Sequence, residues 1–196
     1  MPMRFLLASL FLVTALTSAG CLPHIPMHTT EHLGIGWRAS YERAADESAR
    51  TGRPMLVVLA SGEKDGKTCP GADFLRSDAL RDRRVIDLLN ASFVPVWINV
   101  RTTPLPPFPF LADILVTAKL DADRRVVDGW SRTFYVHSIA VSPDGQRLLN
   151  PGAKTVAQTA KALIFDGNFS YEALEAGEYL GMLRRALERA QTVATR

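Results

Sequence analysis

The sequence predicts an α/β domain in which a mixed sheet carries helices on its faces. Three observations predict it. Two short apolar runs rich in β-branched residues, Met55–Ala60 and Phe93–Val100, read as buried strands, and each follows a helix-forming segment. Pro143-Asp-Gly145 is a turn that folds Gln146–Leu149 back against the strand Thr133–Ser142. The chain then closes on a helical stretch. A parallel step followed by an antiparallel hairpin gives a mixed sheet.

The elements follow in order. Met1-Pro-Met-Arg4 is a short basic start, Phe5–Leu16 is almost unbroken apolar sequence, and Thr17, Ser18, Ala19 and Gly20 are small. This is the three-part layout of a secretory signal over residues 1–20. The apolar run is shorter than the roughly 20 residues of a membrane-crossing helix, although an uncleaved anchor stays open. Ser18-Ala-Gly-Cys21 resembles the lipobox of bacterial lipoproteins, with Ser18 where that family favours Leu. The resemblance implies diacylglycerol on the Cys21 sulfur, cleavage before it, and acylation (as with palmitate) of the new amine. The rival is ordinary cleavage with a free Cys21. Leu22 is not the Asp that in this family favours inner-membrane retention, which points to the outer membrane.

Residues 21–36 read as the lipidated cysteine and a tether, with Pro23, Pro26, Gly34 and Gly36 and no clear period. They also carry His24, His28 and His32, four apart. On a helix these would share a face and could hold copper or zinc. The prolines argue for a solvated linker instead.

The domain spans 37–196. Trp37–Thr51 reads as a helix ended by Gly52 and Pro54. Ser61–Gly71 is a polar loop after the first strand. Asp78–Asn90 is a second helix with Leu80, Val85, Ile86, Leu88 and Leu89 on its apolar face. Residues 101–132 form an insertion. Its Thr103-Pro-Leu-Pro-Pro-Phe-Pro-Phe110 is too proline-rich for a helix or an inner strand and suits polyproline II, with a short helix over 111–120. Leu105, Phe108, Phe110 and Leu111 either dock a partner protein or fold back as a lid. Ser170 to about Ala190 reads as the closing helix, capped by Ser170.

Tyr41-Glu-Arg-Ala, Arg53-Pro-Met-Leu-Val-Val, Phe74–Val96, Ser142-Pro-Asp-Gly145 and Ser170–Leu187 together resemble bacterial thioredoxin-like domains, over 37–100 and 133–190. The resemblance implies a thioredoxin-like mixed sheet flanked by helices, with the Pro-rich insertion before the C-terminal hairpin. It also implies a Cys-x-x-Cys at the loop-to-helix junction, whose first thiolate attacks a disulfide and whose second resolves it. One register sets Lys64-Asp-Gly-Lys67 there, the other Gly66-Lys-Thr-Cys69, and neither is a dithiol. The family's cis-proline position falls near His137 or Ser138, where no proline stands.

Cys69 is the one candidate nucleophile, with Lys64 and Lys67 near it in sequence to lower its pKa and His137 as a candidate base; the alternative is a loop residue without chemistry. The formal charge of +3 falls to +2 without Arg4, the one charged residue of 1–20, and no single-sign block occurs. That excludes nucleic acid as the expected partner. No cofactor is expected. The expectation is a lipid-anchored, periplasm-facing envelope protein without dithiol chemistry that binds or scaffolds an envelope protein; the alternative is a single-cysteine redox protein using Cys69.

Overall fold

In the computed structural model, residues 29–66, 68, 70–111, 126–128, 131–150, 160–165 and 168–194 are described. The centre is β1 (Met55–Ala60), buried at every residue. It pairs in parallel with β2 (Val94–Asn99), Met55 against Val94 through Ala60 against Asn99. On its other side it runs antiparallel to the second half of β4 (Ser131–Val141), Met55 against Val141 through Leu59 against His137. The first half of β4 pairs with β5 (Ala160–Phe165) and with β3 (Val126–Asp128), and β5 pairs with β6 (Asn168–Ala173). The strand order is β2-β1-β4-β5-β6, with β3 also on β4. The chain therefore has the expected fold class, a mixed sheet flanked by helices, compatible with a thioredoxin-like arrangement.

Alternation along β1 splits the core between two faces. Leu56, Val58 and Ala60 face α2 (Pro70–Ser77), α3 (Arg83–Ser92) and α4 (Ala176–Ala194), meeting Leu75, Leu89, Phe93 and Leu183. Met55, Val57 and Leu59 face α1 (Tyr41–Thr51) and the proline-rich segment, meeting Ala44, Phe108 and Leu111. Phe108 is 6 % exposed and Leu111 5 %. Phe108 packs edge-on against Tyr41 and stacks on Phe110, with centroids 5.4 and 5.3 Å apart. The described part of the insertion is thus a lid over the domain's own core. It turns through Phe108 N–H to Pro106 O and Leu111 N–H to Phe108 O instead of running as extended polyproline II. Residues 112–120, expected to be helical, lie outside the described residues.

Local chemistry explains most boundaries. Ser40 Oγ accepts from Arg43 N–H and caps α1, so the helix starts at Tyr41 rather than Trp37. Arg38 instead bridges to Val96 on the outer edge of β2. Gly52 ends α1 at φ 70°, and Gly145 supplies φ 73° in the hairpin turn. Beyond that turn Gln146–Leu149 makes a single bridge, Val141 to Leu148, not a strand.

Three expectations need larger correction. The loop expected to reach Gly71 is cut short, because α2 begins on Pro70, whose fixed φ suits a first helical position. The helix expected over 78–90 is a 3-10 turn, Ala79–Arg81, followed by α3, where Asp82 Oδ1 accepts from Arg84 N–H at 2.8 Å. Ser170 caps no helix; it lies within β6, and α4 starts at Ala176. The hairpin signal was present: Asp166-Gly167 separates β5 from β6. The tether expected to reach Gly36 also ends sooner. Glu31–Gly34 is a 3-10 turn, and His32 and Ile35 are buried.

If the lid is core, Phe108→Ala is expected to lower stability by about 3 kcal/mol, as for other buried phenylalanines. Phe110→Ala, at a partly buried ring, should cost less. Urea unfolding with an unchanged m-value is the measurement; equal small losses for both would mean the segment does not belong to the core.

Candidate functional site

The parallel pair ends at Ala60 and Asn99, side by side. In open α/β sheets the carboxyl ends of such strands border the ligand crevice. Here the loop Ser61–Gly66 occupies that edge, and side chains from distant parts of the chain hold its backbone. Asn99 Oδ1 accepts from Gly62 N–H at 3.0 Å and from Arg101 N–H at 3.1 Å, while its Nδ2 donates to Glu63 Oε1 at 2.7 Å. Trp97 Nε1 donates to Gly62 O at 2.9 Å. Gly62 adopts φ 117°, a conformation open to glycine and costly for other residues. Thr68 Oγ1 donates to Ser61 O at 3.0 Å and closes the loop on itself.

Arg76 dominates the interior of this loop. It stands on α2 with 5 % exposure. Its Nη1 donates to Lys64 O at 2.7 Å and reaches Gly66 O at 3.2 Å and Glu63 O at 3.4 Å, and Nη2 pairs with Asp73. A buried guanidinium is tolerated when its donors are satisfied, and a fork of donors suits several carbonyls at once.

His32 reaches the same carbonyl from the Glu31–Gly34 turn. Its Nε2 lies 2.6 Å from Lys64 O. A carbonyl only accepts, so Nε2 carries the proton and Nδ1 is the bare nitrogen. Nδ1 is buried and meets no hydrogen-bond partner among the described residues. Burial holds the His32 pKa below the ordinary histidine value; the Arg76 charge adds to this, and the Lys64 carbonyl and Glu31 oppose it. The turn that carries His32 is fastened in its own right. Trp37 Nε1 donates to His32 O at 2.9 Å, and Thr29 Oγ1 donates to Arg76 O at 3.3 Å. Trp37 also packs edge-on against Trp97, 5.8 Å between centroids.

The site residues expected from sequence fall as follows. Cys21, His24, His28, Lys67 and Cys69 lie outside the described residues. Among the described residues no group of three or more His, Cys, Asp or Glu is arranged to hold a metal ion. His32, the third member of the expected histidine set, is turned inward onto the Lys64 carbonyl. Lys64 directs its ammonium to Asp65 at 2.8 Å in an exposed pair. His137 is buried opposite Leu59, on the face with Ile139 and away from α2. Cys69, the residue for which His137 is the candidate base, lies outside the described residues, so the pairing of the two stays an expectation. Ser138, next to His137 and on the α4 face, accepts from the buried Tyr179 hydroxyl at 2.9 Å, and burial raises the pKa of that phenol. Asn150 closes this second buried network, accepting from Ala140 N–H and donating to Ser138 O, both at 2.8 Å.

Sequence reasoning missed Arg76, Asn99 and Trp97. A helix arginine, a strand-end asparagine and a strand tryptophan carry no spacing signal, because their partners in the Ser61–Gly66 loop lie 10 to 37 residues away. Compared as a whole, the chain matches no protein-family model and no curated protein. No described helix is long and apolar enough to cross a membrane.

Arg76→Ala leaves three loop carbonyls without their shared donor. It is expected to cost about 3 kcal/mol in urea unfolding, the range for breaking a buried charged partner. Arg76→Lys should recover only part, since one ammonium lacks the guanidinium fork. Full stability in Arg76→Ala would show that the guanidinium does not hold the loop.

Proposed function

We propose that the protein is a lipid-anchored, extracytoplasmic member of the thioredoxin-like class that has lost dithiol chemistry and serves as a binding or scaffolding component of the cell envelope. The observation that carries this reading is the start of α2. The helix begins on Pro70, so the family's motif position becomes Cys69-Pro-Gly-Ala72, later than either register drawn from sequence. Ala72, fully buried, stands where the family keeps its resolving cysteine. Cys21 is the only other cysteine of the chain, and on this reading its sulfur carries diacylglycerol. The absence of a proline at 137 and 138 agrees, since the family shapes its disulfide-binding groove with one there. On this reading the acyl chains sit in the membrane and the domain faces the periplasm, with the outer membrane favoured over the inner. Its partners are then the lipid and a protein of the envelope.

Two measurements test the reading. Wild type grown with an alkyne fatty acid should take up label and sediment with membranes, and Cys21→Ser should do neither. The purified Cys21→Ser protein should reduce insulin no faster than dithiothreitol alone. Catalysed turnover would overturn the loss of dithiol chemistry, and unchanged labelling would overturn the anchor.

A second reading, a single-thiol redox protein, gains support from the same helix start. A cysteine immediately before a helix of this kind meets the positive end of the dipole, which favours its thiolate. The pH dependence of Cys69 alkylation decides it. A midpoint well below the roughly 8.5 of a free thiol is expected if this reading holds, and a midpoint at that value removes it.

A further inference from the structure

The Lys64 carbonyl is shared by two buried donors, one permanently charged and one titratable. We propose that His32 is a proton-released latch: its neutral imidazole fastens the Glu31–Gly34 turn to the Ser61–Gly66 loop, and protonation expels the turn and frees the loop.

The geometry sets the direction. His32 is 2 % exposed, and its Nε2 and the Arg76 Nη1 lie 2.6 and 2.7 Å from one oxygen. An imidazolium there would place a second full charge beside the guanidinium, well inside the roughly 8 Å screening length of physiological salt. It would also turn Nδ1 into a donor, in a place where the described residues offer it no acceptor. The charged groups around the ring do not cancel this. Arg76 on α2 and Lys64 on the loop both disfavour the cation. Glu31, on the histidine's own turn, favours it, but that carboxylate is exposed and lies 3.9 Å from Arg81 of the second 3-10 turn. Asp73 is already engaged by Arg76. Because the closed form holds His32 neutral below its ordinary range, the open form binds more protons. Closure is therefore complete above about pH 6.5 and weakens as pH falls below it, until the closed form protonates too.

The latch joins two segments that are distant in sequence. The turn is the first described structure after the segment that follows Cys21, and the loop leads into α2 at the edge of the sheet. Opening would expose the Lys64 carbonyl and the Arg76 guanidinium together. The proposal depends neither on lipidation nor on what the loop binds.

Amide hydrogen exchange tests it on the purified Cys21→Ser protein, with protection of Gly62–Gly66 corrected for the intrinsic pH dependence of exchange. Protection in the His32-containing protein should fall by up to about tenfold per pH unit below the ordinary histidine range. The additional change His32→Gln keeps a donor for Lys64 O and does not titrate. Its loop protection should stay flat over the same range, which separates His32 from His137 and from the carboxylates. Protection that falls equally in both proteins, or in neither, overturns the proposal. If the His32→Gln protein does not fold, the imidazole carbon shift of His32 is followed by NMR. A midpoint clearly below 6.5 is expected, and a midpoint at or above the free-histidine value overturns the latch.

Discussion

The structure depends on the burial of β1. Its six residues are buried and paired with β2, and the first five are also paired with β4. Taking its Met, Leu and Val side chains out of water contributes on the order of 10 kcal/mol gross, at about 2 kcal/mol each. That gain requires a cover for each face, and the rest of the chain supplies it. α2, α3 and α4 close one side; α1 and the proline-rich segment close the other. The parallel pairing with β2 demands a long crossover on one face, and α2, the 3-10 turn and α3 are that crossover. Where the two strands end together, their last backbone groups must be satisfied by something. Asn99 and the Ser61–Gly66 loop are the local solution.

What the sequence made legible follows from the same constraint. β1 was readable to the residue because a strand buried on both faces leaves a continuous apolar run. The lower limit of α1 and the helix start at Pro70 were less so, since a cap or a first-turn proline is a one-residue signal inside a polar stretch. Residues 170–173 read as helix because Ser170 precedes leucines at helical spacing, whereas they belong to β6. The leucines do belong to α4; the error was to extend their helix back to the nearest capping residue.

The polar loop was opaque for another reason. Its glycines, lysines and acids suggest solvated chain, and its exposed residues bear that out. What the composition hides is that its carbonyls point inward. A loop of this length carries backbone groups that burial would orphan, and each orphan must find a donor. Arg76 answers for three of them and Trp97 for one. Such pairings are set by the tertiary fold, so a donor such as Arg76 reads as an ordinary surface arginine until α2 has been placed against the sheet.

This arrangement bears on what the edge of the sheet can do. A thioredoxin-like site that exchanges disulfides needs a mobile, accessible thiol pair above the strand ends. Here the loop before α2 is cross-tied by an arginine, a histidine, an asparagine and a tryptophan, and in the proposed register the fourth motif position is the buried Ala72. Those ties fix the backbone geometry of the loop. The exception is the one tie that can be undone by a proton. His32 belongs to the Glu31–Gly34 turn, which begins ten residues after Cys21 in sequence, so on the proposed anchored reading release of that tie would act near the anchor as well as on the loop. In a lipid-anchored protein, orientation to the membrane and the shape of the binding edge would then be a single coupled variable.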